Sequence, residues 1–140
     1  MSATPVLEAA RAELNERCNA IEGCYEFMLA YAAQGLSDDS SNSQVREFLS
    51  KCNRALGDLA GLLERFVGQI GADSTAPYTA FIAVLDRDAR DAQAAVQLVL
   101  AQPSISSQLV DNLNASIHLR ALLTDLFLID EVLKTHRRPS

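Results

Sequence analysis

The sequence predicts an all-α fold, an up-down-up-down antiparallel four-helix bundle, on three observations. Apolar residues recur at steps of three and four along four long stretches. No comparable stretch alternates apolar and polar residues at a period of two. Three short breaks rich in Gly, Pro, Ser, Asp or Asn separate the stretches. An α-helix turns once per 3.6 residues, so steps of three and four line one side of it. Short links between long helices favour antiparallel neighbours.

The first helix is expected over about 5–35, opened by Pro5 and closed by Gly35. Its stripe runs Leu7, Leu14, Cys18, Ile21, Tyr25, Met28, Ala32. A polar run from Ser37 to Ser43 follows, any of whose short side chains suits an N-cap. The second helix is expected over about 42–70, with the stripe Val45, Phe48, Cys52, Leu56, Leu59, Leu63, Phe66, Ile70 and closure at Gly68 and Gly71. Asp73, Ser74 and Thr75 then offer caps, and Pro77 suits a first turn. The third helix, about 76–102, buries Tyr78, Phe81, Leu85, Ala89, Ala92, Val96 and Val99. Pro103 ends it because proline lacks the amide that a helix interior needs, and Ser104 is the next cap candidate. The fourth helix, about 104–136, carries Ile105, Leu109, Leu113, Ser116, Leu119, Leu123, Leu126, Asp130 and Leu133. An alternative keeps the four helices but exchanges one between protomers at the polar link from Asp38 to Ser43.

The 140 residues form one expected domain, 1–140. Twelve Lys and Arg against eighteen Asp and Glu give a net charge of -6 and a pI near 4.8. Nucleic-acid binding needs clustered cations, so this balance argues against it. The one basic cluster, Lys134, His136, Arg137 and Arg138, falls at the end of the fourth helix, where cations complement the helix dipole. No stretch reaches the uninterrupted apolar length of a membrane span, and the N-terminus lacks the pattern of a secretory signal. The expected location is cytoplasmic. Three cysteines is an odd number and their spacing matches no metal or redox motif.

The fourth helix has a second stripe: His118, Leu122, Asp125, Ile129, Val132 and His136, widened by Leu128. On the sequence reading, Leu122, Ile129 and Val132 lie nearly opposite Leu123 and Leu126, too far round for one subunit to cover. A helix apolar on all sides must be sheltered by something, and exposed apolar patches mark contact surfaces. The expected partner is a second copy, in a homodimer through His118, Leu122, Asp125, Leu128, Ile129 and Val132. The first helix shows a similar second stripe at Ala20, Cys24, Phe27 and Tyr31. The second helix has Gly57, Gly61 and Gly68 on its outer side, read either as tolerated surface glycines or as sites of close approach.

Specific chemistries find little support. Neither His has an acid three residues before it, as di-iron bundles require. There is no Cys-x-x-Cys-His, phosphate-cradling Gly loop or zinc-protease motif, and no catalytic residue or cofactor is predicted. Cys18, Glu22 and Cys52 would approach one another if the first two helices are antiparallel, and thiolates favour soft metals. That makes a metal- or small-ligand-binding bundle the alternative to a non-catalytic protein acting through self-association or as an interaction module. The stretch His118-Leu119-Arg120-Ala121 resembles in part the His-x-x-Lys-Gly segment of histidine phosphotransfer domains, also helical bundles. The basic residue comes one position early and Ala replaces Gly. The resemblance implies phosphoryl acceptance at His118. Asp130 and Ser116 are polar residues on the core stripe; the first would be solvated or paired with a Lys or Arg, and a helix carbonyl would satisfy the second.

Overall fold

A computed structural model describes residues 3–34, 39–70 and 75–134, with side chains over 8–31, 43–69 and 75–134. Among these residues the chain is all-helical, with six α-helices and no strand: α1 Ala3–Gln34, α2 Asp39–Leu56, α3 Leu59–Ile70, α4 Ala76–Leu100, α5 Ser107–Ala115 and α6 His118–Lys134. No helix of the described residues is long and apolar enough to cross a membrane. The expected signals at Gly35, Gly71, Asp73, Ser74 and His136 to Arg138 lie outside the described residues.

Six helices replace the four expected ones because the second and fourth are broken. The break between α2 and α3 falls at Gly57 and Asp58. Gly57 N–H returns to the Arg54 carbonyl at 3.2 Å, and Asp58 takes a φ of 56°. Asp is among the residues that enter the left-handed region most readily. The break between α5 and α6 falls at Ser116 and Ile117. Ser116 N–H donates to Asn112 and Leu113 carbonyls at 3.1 and 3.2 Å, and its hydroxyl donates back to Leu113. Ile117 has a φ of 66°, costly for a β-branched side chain. The Ile117 carbonyl then accepts from Ala121 N–H at 2.8 Å as α6 begins.

Two expected caps are corrected. Ser106, not Ser104, caps α5: its hydroxyl accepts from Leu109 N–H at 3.1 Å. Thr75 stands before α4 but makes no side-chain cap, and Pro77 in the first turn sets the entry instead.

Most of the expected stripe residues form the core, with Leu49 added to them and Phe48, Tyr78 and Phe81 only half-buried. Leu14, Ile21 and Met28 of α1 meet Leu49, Cys52, Leu63 and Phe66 of α2 and α3, Leu85, Ala89, Ala92 and Val96 of α4, and Leu113, Leu119 and Leu126 of α5 and α6. Both α1 and α4 pack against α2, α3, α5 and α6. Three arginines tie helix ends together across these contacts. Arg11 donates to the Leu133 carbonyl at 3.0 Å, near the end of α6. Arg17 donates to the carbonyls of Ala55 and Gly57 at 3.2 and 2.6 Å, at the end of α2. Arg46 donates to Leu100 at 3.0 Å, and to Gln102, at the end of α4. The last carbonyls of a helix have no intrahelical partner and carry partial negative charge, so a guanidinium satisfies both needs. Each of these pairs also fixes an antiparallel approach, as does Tyr31 Oη donating to the Ile105 carbonyl at 3.0 Å.

Candidate functional site

The C-terminal half of α6 carries the expected interface residues, and the structure divides them. Leu122 and Ile129 are buried inside the single chain, at 0% and 3% exposure. The expectation that they require outside shelter is therefore corrected. At 100° per residue, Leu122 and Leu126 are about 40° apart and Leu126 and Ile129 about 60° apart. They share one broad arc, covered because α6 packs on both α4 and α1. Leu128 and Val132 remain exposed, at 55% and 37%, and Phe127 joins them at 52%. Phe127 belongs to none of the expected stripes, although its spacing to Leu128 and Glu131 places it on the outer arc.

Beside Leu128 and Val132 the first turns of α4 leave an apolar groove of about 370 Å³, lined by Pro77, Tyr78, Phe81, Leu128, Ile129 and Val132. Pro77 and Tyr78 stand there because α4 starts at Ala76 with its proline in the first turn. Tyr78 and Phe81 are half-buried, so their rings form walls as well as core. The groove has no charged side chain in its lining.

Further toward the start of α6, Asp125 is half-buried against α4 and approaches Asp88 of its own chain. Its Oδ2 is buried with no hydrogen-bond partner among the described residues. Burial, and next the Asp88 carboxyl beside it, push the Asp125 carboxyl up to about 7. His118 is the first residue of α6 and is half-buried. Asp130 finds the expected cations: Arg11 at 3.9 Å and Lys134 at 3.8 Å.

The structure does not bring Cys18, Glu22 and Cys52 together, which corrects that expectation. Cys18 and Glu22 share a small cavity of about 250 Å³ with Asn15, Asn19, Leu126, Phe127 and Asp130, on the α6 side of α1. Burial, then Asp130 and Glu22, push the Cys18 thiol up to about 11. Cys52 instead meets Cys24, whose hydrogen bond, followed by burial, raises its thiol far above the ordinary range. The two helices are antiparallel as required, but Cys18 and Cys52 lie on contacts with different neighbours. Among the described residues no group of three or more His, Cys, Asp or Glu is placed to hold a metal.

A polar cleft of about 550 Å³ lies between α3 and α4, lined among others by Asp58, Gly61, Glu64, Asp86, Arg90 and Gln93. Its Arg90 and Asp86, four residues apart on α4, are joined at 2.9 Å. Gly61, read from the sequence either as a tolerated surface glycine or as a site of close approach, lines it.

Compared with protein-family models, curated proteins and solved structures, the chain matches none.

Proposed function

We propose that this chain is a cytosolic, non-catalytic helical bundle that works by association with a second copy of itself through the α4–α6 groove. In this reading the six helices count as four antiparallel columns running up-down-up-down within one domain, α2 with α3 and α5 with α6 being interrupted columns. The observation that carries it is the run of exposed apolar side chains, Leu128 and Val132, at the rim of a groove walled by Tyr78 and Phe81. Fully burying an aliphatic side chain of this size is worth about 1.5–3 kcal/mol. A twofold contact would pair the same patch on both copies and bury each exposed residue once in each copy. The interface is smaller than the one expected from sequence, since Leu122 supports it from inside the chain and Ile129 reaches it only as buried lining of the groove.

Sedimentation velocity on wild type and on the double variant Leu128→Glu, Val132→Glu tests this. The dimer is expected to dissociate in the double variant with helix content unchanged. It is expected to persist in Leu98→Glu, which alters an exposed leucine of α4 outside the groove. Wild type and double variant sedimenting alike would contradict the assignment.

A further inference from the structure

We propose that Cys24 and Cys52 are a thiol-oxidation site in the core, where a reversible disulfide joins α1 to α2. The register of the two helices puts these residues opposite each other, and it is fixed from both sides. On one side Phe27 stacks on Phe48, with ring centroids 4.0 Å apart and planes 8° from parallel. One helical turn from that stack, three residues back along α1 and four residues on along α2, stand Cys24 and Cys52. Beyond them, seven residues further back and three further on, Arg17 donates to the Ala55 carbonyl at 3.2 Å. Cys24 therefore belongs to the face of α1 that meets α2, along with Arg17, Ala20, Phe27 and Tyr31. The pair is closed from solvent, with Cys24 at 1% and Cys52 at 0% exposure, and both cysteines are free. Cys18 lies on the other side of α1 beside Asp130 of α6, so the core offers one defined pairing.

The surroundings decide which chemistry the pair can carry. An apolar core tolerates two neutral thiols or one neutral disulfide, whereas a thiolate or a metal bis-thiolate would bring charge into it. The neighbouring Cys24 thiol and burial hold Cys52 protonated, and burial keeps both sulfurs from an oxidant while α1 and α2 are closed. Oxidation therefore proceeds when the two helices part. One thiolate then attacks a peroxide oxygen, giving a sulfenic acid and releasing hydroxide. The second thiol attacks that sulfur, forming the S–S bond and releasing water. In sum, two thiols and one hydrogen peroxide give one disulfide and two waters. A dithiol reductant reverses the bond by exchange. Once made, the bond closes a long loop and restricts the unfolded chain, so an event that began with opening ends by locking the contact shut.

The full chain treated with hydrogen peroxide, alkylated and digested without reduction is expected to yield one peptide joining Cys24 to Cys52, lighter by two hydrogens than the separate peptides. The melting temperature is expected to rise by something on the order of 10 °C, and dithiothreitol to restore it. Cys18→Ser is expected to leave both results intact, while Cys24→Ser abolishes both. A bridge involving Cys18, or a peptide map with Cys24 and Cys52 still alkylated after peroxide, would overturn the proposal. So would a melting temperature unchanged by the bridge. If Cys24→Ser does not fold, the wild-type peptide map alone decides.

Discussion

The Asp58 carboxylate lies over Gly61 so closely that a Cβ there would come within 2.8 Å of Asp58 Cγ. Asp58 reaches this position through its left-handed backbone, and its carbonyl accepts from Leu62 N–H at 3.2 Å in the first turn of α3. The neighbouring Gly68 has nothing within 4 Å of its Cβ position. Ala in an open helical site gains up to about 1 kcal/mol over Gly. Gly68→Ala is therefore expected to stabilise the fold by up to about that amount. Gly61→Ala must displace the Asp58 side chain and is expected to be neutral or destabilising, at least about 1 kcal/mol worse than Gly68→Ala. Urea unfolding midpoints of the two variants check this, and equal gains would refute the close approach.

Arg17 joins three things at the α2–α3 break. It meets Glu13 at 2.9 Å on its own helix and closes the carbonyls of Ala55 and Gly57. Hydrogen bonds from a charged donor contribute about 1.5–3 kcal/mol each, and the side chain is only partly exposed. Arg17→Met keeps most of the apolar stem and removes the donors. It is expected to cost about 2–3 kcal/mol and to speed amide exchange at the end of α2 and the start of α3. A cost under about 0.5 kcal/mol would mean that water replaces the guanidinium without loss.

The fold is expected to lose stability as pH rises, through Asp125. Its carboxyl titrates near 7 in the fold against an ordinary 3.8, so the folded chain holds a proton that the unfolded chain releases. This contribution is fully present below about pH 4 and is lost as pH rises through about 7. Asp125→Asn keeps a neutral group of the same shape at every pH. Wild type is expected to melt lower at about pH 8 than at about pH 5, and the variant to narrow that gap by gaining at the higher pH. A variant equally destabilised at both values would show that the Asp125 proton has no part in it.

Much of this fold was legible in the sequence because burial follows helical spacing. Leu14, Ile21 and Met28 at steps of seven, or Leu85, Ala89, Ala92 and Val96 at steps of three and four, can be read off and are all buried. The two breaks were not legible. The apolar step from Leu56 to Leu59 passes straight through Gly57 and Asp58, and Ile117 is an apolar, β-branched residue that offers no stop signal. The site was misread where the angle round a helix mattered: Leu122 and Ile129 belong with Leu126, which leaves Leu128, Val132 and the overlooked Phe127 outside. The cysteines show a different limit. Spacing places Cys18 and Cys24 each on an apolar stripe of one helix, but which of them faces Cys52 depends on the register between helices, and that is set by the Phe27–Phe48 stack and Arg17.

Native mass spectrometry of freshly purified full-length protein, over a concentration series, tests association through the α4–α6 groove most directly. The account predicts a species at twice the chain mass of 15.2 kDa for wild type, shifting to the single-chain mass in Leu128→Glu, Val132→Glu. Wild type found at 15.2 kDa alone across the series would contradict it.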